Sequence, residues 1–174
     1  MSYLLHPPLL DEAGLPVALE NFIAGFENRS GIRVQREIPP DLDRTMPEIE
    51  RALFRIVQEC LTNVHRHSSS RTAAVRLTDA NGELCLEIRD EGRGIPVEVF
   101  QDGIRGSKFG VGLRGIQERA RHLGGKVEFL SGSPGAVIRV TLPQKRQEGD
   151  GDSNTSVSAE RSRVSGQLEK VTGN

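Results

Sequence analysis

The chain has 174 residues, of which 23 are Lys or Arg and 24 are Asp or Glu, so its formal net charge is −1. This length allows one core-forming domain, and the balanced charge gives no general attraction to nucleic acid or to an anionic membrane. No apolar run is long enough to span a membrane and no signal peptide is visible, so we expect a cytoplasmic chain that contacts neither nucleic acid nor membrane.

The first elements alternate between helix and strand. Residues 1–14 are rich in Leu and Pro and are typical of the exit from a preceding element, so we expect something upstream. Apolar residues at helical spacing occupy positions 19–26, and Gly31 would end this helix. Alternating apolar residues at 32–38 then predict a strand, which the two prolines that follow would end.

A long central helix is predicted next. Thr45 and Glu48 have the spacing of a capping box. One apolar stripe follows them: Ile49, Leu53, Ile56, Val57, Cys60, Leu61 and Val64. Cys60 lies in this stripe and Cys85 in a later apolar pattern, with no metal-ligand spacing around either, so both are predicted to be reduced core residues.

Two hairpins and a helix complete the predicted fold. Alternating apolar runs flank Asn81-Gly82, which favours a tight turn. A helix over residues 113–123 would end at two glycines, and a last hairpin joins residues 127–129 to 138–142. Helices followed by hairpins, without regular βαβ alternation, predict an α+β fold: a two-layer α/β sandwich in which helices cover one mixed sheet.

The carboxyl-terminal segment, residues 145–174, contains Ser, Gly, Gln and charged residues with almost no large apolar side chain. Such a composition cannot bury enough apolar surface to offset the entropy lost on ordering. We therefore expect a disordered tail.

The central helix carries the first group of candidate site residues. Glu59, Asn63, Arg66 and His67 are spaced at i, i+4, i+7 and i+8, which places them on one face of a regular helix. Taken alone, this face is more often a solvated surface, on which Arg55 would pair with Glu59.

Two glycine-containing segments follow. Residues 90–94 read DEGRG directly after a strand, so the glycines would let the backbone approach a flat ligand while Asp90 accepts a hydrogen bond. Residues 110–115 read GVGLRG and run into a helix whose amino-terminal end suits phosphate. Each segment alone is a weak signal, but the helix and both segments in this order predict a nucleotide site.

These residues carry a family resemblance over roughly residues 3–143. Residues 59–67 resemble the Asn-containing helix of the gyrase, heat-shock-protein-90, histidine-kinase and mismatch-repair ATPases, and residues 90–94 and 110–115 resemble their two glycine boxes. More narrowly, residues 5–15 and 112–120 are similar to histidine kinases of the nitrate-sensor and desaturase-sensor type. The resemblance implies the Bergerat-type ATP-binding fold, over residues 15–144, and the catalytic ATP-binding domain of a sensor histidine kinase.

The resemblance also implies a role for each site residue. Asn63 would coordinate the Mg²⁺ that bridges the ATP phosphates, and Glu59 would polarise the attacking group or organise the metal's water shell. Asp90 would accept the hydrogen bond of the adenine amino group. The other implied ATP contacts are Arg66, His67, Gly92, Gly94, Ile95, Lys108, Gly110, Val111, Gly112 and Leu113.

A lid is implied over roughly residues 96–109, where Arg105 and Lys108 are either phosphate contacts or solvated loop charges. The dimerisation helix that carries the phosphoacceptor histidine is absent from the sequence, and residues 1–14 would be the remnant of that element and its linker. His6 precedes a proline that disfavours helical geometry, so we do not expect it to be the acceptor. His65 and His122 lack a neighbouring carboxylate and are predicted to be surface or structural residues.

The implied function is transfer of the γ-phosphoryl of Mg-ATP to a histidine on a dimerisation domain supplied from elsewhere, with a response regulator as an indirect partner. One alternative is a serine protein kinase of the anti-sigma-factor type, which shares the ATPase core. The other is a nucleotide-dependent interaction module without catalysis. The start at residues 5–8 and the RGIQER helix at residues 114–119 argue against the first. Retention of Glu59, Asn63, Asp90 and the glycines at 92, 94, 110 and 112 argues against the second.

Overall fold

The computed structural model describes residues 8–95, 108–132 and 134–144. The elements are α1 (Pro8–Ser30), β1 (Arg33–Glu37), α2 (Pro47–Asn63), a π-helical turn (Val64–Ser68), β2 (Thr72–Ala80), β3 (Glu83–Asp90), α3 (Lys108–His122), β4 (Lys126–Ser131) and β5 (Ala136–Pro143). The implied lid over residues 96–109 lies almost wholly outside this part of the chain, and the predicted tail over residues 145–174 lies outside it entirely.

The strands form one mixed sheet in the order β1-β2-β3-β5-β4. β1 and β2 are parallel, whereas the other neighbouring pairs are antiparallel. The predicted tight turn between β2 and β3 is present, because both Asn81 (φ 56°) and Gly82 (φ 76°) have the left-handed backbone that such a turn requires. The predicted α+β sandwich with a mixed sheet is therefore confirmed.

The core lies between the sheet and the helices. One face of the central strands is apolar and buried, as the alternating pattern predicted; Val75, Leu86 and Val140 have no exposed surface. α2 is the central helix of the covering layer, since it contacts α1, α3 and β3. Its buried face includes Leu53, Ile56, Val57, Cys60 and Leu61, so the prediction for Cys60 is confirmed; Cys85 is only partly buried.

The outer face of the sheet carries a ladder of opposite charges. In register across five strands stand Glu37, Arg76, Glu87, Arg139 and Glu128. Arg76 Nε lies 2.5 Å from a Glu37 carboxylate oxygen, and Arg139 Nη2 lies 2.8 Å from one of Glu87. Because neighbouring strands present opposite charges, this ladder favours the observed register over a shifted one.

The first helix begins earlier than predicted. α1 starts at Pro8 and is kinked at Gly14, whose backbone (φ 83°, ψ 174°) is not helical and suits only glycine. Leu10 is 2% exposed and belongs to the main core. Arg44 contacts the carbonyl oxygens of Leu10 and Asp11 and forms an ion pair with Glu50. Residues 8–13 therefore pack as part of the domain, while the predicted boundary after residue 14 remains a prediction.

The second and third helices also differ in their starting points. Met46 is at the N-cap of α2 and Pro47 is the first helical residue, so the capping box predicted from Thr45 and Glu48 is wrong and Thr45 lies one residue before the observed cap. Its backbone N–H instead donates to Glu50. α3 is helical from Lys108, so Gly110 and Gly112 lie within the helix rather than in a loop before it. Within the described parts of the chain, no helix is long and apolar enough to cross a membrane.

Candidate functional site

A small cavity opens between the end of α2, the sheet and the first turns of α3. Its volume is about 30 Å³, which is small beside the roughly 300–1,000 Å³ of typical small-molecule pockets. The lining residues are Cys60, Asn63, Val64, Ser68, Ile88, Asp90, Gly94, Ile95, Leu113, Ala136 and Ile138.

Asp90 supplies the carboxylate of this cavity. It is the last residue of β3 and is 8% exposed. One carboxylate oxygen accepts a hydrogen bond from the Gly92 backbone N–H at 2.7 Å. Burial raises the pKa of Asp90, and the hydrogen bond from Gly92 opposes this shift in part. Asp90 is thus a buried acceptor in a mostly apolar cavity, as its predicted role requires.

The loop after Asp90 is fastened to the segment that follows α2. The Arg93 N–H donates to the carbonyl of Ser68 at 2.9 Å, and the Arg93 side chain donates to the carbonyl of His67 at 2.5 Å. A Cβ on Gly92 would come 2.1 Å from the same Ser68 oxygen. Gly92 is therefore required for this close contact between backbones, rather than for a contact with the cavity itself.

Glu59 and Asn63 meet α3 at Gly112. A Cβ on Gly112 would lie 2.1 Å from a Glu59 carboxylate oxygen and 3.3 Å from the Asn63 side-chain nitrogen. That nitrogen is buried and has no hydrogen-bond partner in the described part of the chain. A buried polar atom of this kind is costly unless it has a ligand to bind. The absence of a side chain at Gly112 thus leaves room beside α3 for Glu59 and for Asn63, of which Asn63 lines the cavity.

The donor atoms here fit a hard divalent cation held mainly by substrate phosphates. No group of three or more His, Cys, Asp or Glu residues capable of holding a metal occurs among the residues that the structure describes. Mg²⁺ commonly takes one or two protein oxygens and completes its shell with phosphate oxygens and waters. The side-chain oxygens of Asn63 and Glu59 could serve in this way.

Two of the predicted residues lie in the π-helical turn. Arg66 and His67 belong to Val64–Ser68, where backbone hydrogen bonds span five residues instead of four, so the regular helix assumed for their spacing ends before them. Arg66 is exposed and neither residue lines the cavity. Burial, followed by the charges of Arg66 and Arg93, lowers the pKa of His67, which favours the neutral imidazole.

The remaining predicted residues are divided between the cavity and the surface. Gly94, Ile95 and Leu113 line the cavity, whereas the Val111 side chain is 74% exposed. Lys108 and Gly110 belong to the first turn of α3. Arg105 lies outside the described residues.

Several lining residues had no signal in the sequence that marked them for the site. Ser68 reaches the cavity because the π-helical turn buries it. Ala136 and Ile138 do so because β5 pairs with β3, which sets Ala136 opposite Asp90 and Ile138 opposite Ile88. Only knowledge of the strand pairing could have identified the last two.

Comparison with known proteins identifies the family of the chain. The sequence model of the family described as "Histidine kinase-, DNA gyrase B-, and HSP90-like ATPase" matches residues 48–146. The sensor histidine kinase MctS of Rhizobium johnstonii is 33% identical over 144 residues, covering 83% of this chain and 31% of MctS. NarS of Mycobacterium tuberculosis, also a sensor histidine kinase, is 32% identical over 145 residues, covering 83% of this chain and 33% of NarS.

Solved structures share the fold. The histidine kinase domain of the Erythrobacter litoralis EL346 blue-light activated histidine kinase superposes with a TM-score of 0.60 at 22% identity, covering 74% of this chain and 60% of that one. The mycobacterial sensor histidine kinase MprB gives a TM-score of 0.55 at 20% identity, covering 75% of this chain and 96% of that one. The chain spans about a third of the length of the curated relatives named above.

Proposed function

Because the chain belongs to the family of histidine kinase-, DNA gyrase B- and HSP90-like ATPases, an ATP-binding family, we propose that its cavity binds the adenine of Mg-ATP for phosphoryl transfer to a protein histidine. The observation that carries this proposal is the pairing of two polar groups with different environments. A buried carboxylate, Asp90, lies in the apolar part of the cavity, and the unsatisfied amide of Asn63 lies at the end nearest α3.

In this proposal the two groups recognise different parts of the nucleotide. Asp90 accepts a hydrogen bond from the adenine amino group, while Ile88, Ile95 and Ile138 contact the ring. Asn63 and Glu59 hold Mg²⁺, which when bound neutralises negative charge on the phosphates. The amino-terminal turns of α3, with the positive end of the helix dipole, face those phosphates. Adenine recognition and metal binding are thus separable functions.

The acceptor and the cellular context extend the proposal beyond this chain. The chain aligns with about a third of the length of sensor histidine kinases such as MctS and NarS, and we infer that the acceptor histidine belongs to a dimerisation domain outside residues 1–174. A response regulator would then be an indirect partner, and the domain would act in the cytoplasm. The proposed roles of Arg66, His67 and Lys108 as nucleotide contacts belong to the same inference.

The experiment is calorimetric titration of the chain with ATP and ADP, with and without Mg²⁺. We expect saturable binding that Mg²⁺ strengthens. Asp90→Ala should weaken ATP and ADP alike by about 1–3 kcal/mol, as expected for loss of a hydrogen bond to a charged group. Asn63→Ala should remove the Mg²⁺ enhancement.

A stability measurement separates these roles from structural ones. Because the Asn63 nitrogen has no partner in the described residues, Asn63→Ala should not lower the free energy of unfolding of the nucleotide-free chain, although it impairs metal-dependent binding. A folded wild-type chain that showed no saturable binding with Mg²⁺ would refute the proposed function.

A further inference from the structure

The turn between β4 and β5 supports the loop that forms one side of the cavity. The Gly132 N–H donates to the carbonyl of Gly135 at 3.0 Å, which closes the turn. Gly135 has φ +85°, and a Cβ there would lie 1.8 Å from the Asp90 carbonyl oxygen. The turn therefore packs closely against the backbone of Asp90, the residue at which the loop to Ile95 begins.

A second contact fixes the far end of the same loop. The Ser131 hydroxyl accepts a hydrogen bond from the Ile95 N–H at 2.9 Å and donates one to the Ile95 carbonyl at 3.1 Å. One side chain thus holds both backbone groups of a residue 36 positions away. Gly94 makes this approach possible, because a Cβ there would lie 2.6 Å from the Ser131 oxygen and 3.1 Å from the Gly132 carbonyl.

Ile95 is the connection between Ser131 and the cavity. Its side chain is 7% exposed and lines the cavity. Ser131 itself does not line the cavity, so any effect it has on a ligand must act through the residue it holds. The backbone of Ile95 is restrained from both sides, by Asp90 and its following glycines on one and by the Ser131 hydroxyl on the other.

We propose that Ser131 is a positioning residue for nucleotide binding. Its two hydrogen bonds to the Ile95 backbone fix the position of Ile95 at the side of the adenine cavity. The inference rests on the proposed ATP site and adds to it a residue that touches no ligand. Because Ile95 is already held in place before binding, the nucleotide does not have to order it. The affinity is therefore greater than it would be with a mobile Ile95. The contribution arises at the adenine end and is the same for ATP and ADP.

The test compares two serines with the same hydrogen bonding. Ser30, at the end of α1, also donates to a carbonyl (Phe26, 2.8 Å) and accepts from a backbone N–H (Ile32, 3.2 Å), but it lies away from the cavity. Ser131→Ala and Ser30→Ala therefore remove matched pairs of hydrogen bonds. Ser131→Thr keeps the hydroxyl. All three are made in the full chain and titrated with Mg-ATP and Mg-ADP, alongside urea unfolding.

We expect Ser131→Ala to weaken both nucleotides by about 5- to 10-fold, the effect of roughly one ordinary hydrogen bond. Ser30→Ala should leave affinity unchanged at a similar loss of stability, and Ser131→Thr should bind close to wild type. If Ser131→Ala and Ser30→Ala bind nucleotide alike, Ser131 is merely structural and the inference is wrong.

Hydrogen exchange separates failure of this inference from failure of the proposed function. In the nucleotide-free chain the Ile95 amide should be protected and should lose that protection in Ser131→Ala only. An unprotected Ile95 amide in the wild-type chain would contradict the hydrogen bond between the Ile95 N–H and Ser131. If the amide is protected as expected but wild type binds no nucleotide, the proposed function has failed, and the role of Ser131 in binding fails with it.

Discussion

At the scale of single residues, the site depends on two polar groups whose burial is energetically unfavourable. Burial raises the pKa of Asp90, and the Asn63 nitrogen lacks a partner within the described chain. Both conditions cost stability in the ligand-free protein. A site that binds a polar ligand in a closed cavity commonly carries such costs, because the ligand supplies the missing partners.

Asp90 predicts a dependence of nucleotide binding on pH. The ionised carboxylate is the better acceptor for an amino group, so affinity should fall as the pH is lowered through the raised pKa of Asp90. The stability of the nucleotide-free chain should respond in the opposite sense: protonation of Asp90 is easier in the folded state, so its contribution to stability is lost as the pH rises through that pKa.

Calorimetric titration between about pH 4 and pH 7 would measure the first effect. The phosphates of the nucleotide also titrate, and Asp90→Asn, which cannot ionise, reports their share. Wild-type and Asp90→Asn curves of the same shape would show that Asp90 does not contribute the pH dependence.

At the scale of elements, the local sequence predicted the periodic parts and missed the exceptions. The apolar stripe of α2, the alternation in β2 and β3 and the turn at Asn81-Gly82 each follow from nearby residues, and all are present. The π-helical turn Val64–Ser68 was missed because its apolar spacing resembles that of an ordinary helix end. Arg66 and His67 lie in this turn and do not line the cavity, and their roles as nucleotide contacts stay predictions.

Contacts between distant segments were the other part that the local sequence could not supply. Ser131 and Ile95 meet because β5 lies between β4 and β3 in the sheet. The glycines at 92, 94 and 112 were identified as site residues from their spacing, whereas the structure shows which neighbour each accommodates: Ser68, Ser131 and Glu59. A glycine-containing motif thus indicates that some group lies close to the backbone, while the fold determines which residue that group belongs to.

The packing of α3 against α2 predicts different effects on ATP affinity for two alanine substitutions in α3. In Gly112→Ala, the new Cβ would occupy the position of the Glu59 carboxylate, which can move because it ends a flexible side chain. The fold should therefore survive, while displacement of Glu59 beside Asn63 should weaken Mg²⁺-dependent ATP binding by about 10-fold or more, as expected when a site group is moved.

Gly115→Ala is the matched control for this prediction. Its Cβ would meet only the end of the Arg119 side chain, at 3.0 Å. Removing a glycine from a helix should raise the free energy of unfolding by about 0.5–1 kcal/mol, with ATP affinity unchanged. Urea denaturation and calorimetry would measure both quantities. Equal affinities for the two variants would contradict the proposed role of the Glu59 and Asn63 pair.

At the scale of the whole molecule, the described residues carry the proposed nucleotide site, and none of their histidines lines its cavity. The cavity, α3 and the sheet belong to one core, and His65 and His122, which are both exposed, do not line the cavity. The chain matches only about a third of the length of the relatives named above. Catalysis by such a site depends on holding donor and acceptor in line, which a nucleotide domain alone cannot achieve.

This division of labour leads to the last prediction, which concerns phosphoryl transfer. Incubated with radiolabelled ATP and Mg²⁺, the chain alone should not label itself. Supplied with the dimerisation domain of a cognate sensor kinase, it should label one histidine there, giving a product that is labile to acid and stable to base. His→Ala at that acceptor should abolish labelling, and Asn63→Ala in this chain should reduce it through loss of the metal. Self-labelling by the isolated chain, or an acid-stable phosphoserine on a partner, would instead indicate the serine-kinase chemistry of the anti-sigma-factor type.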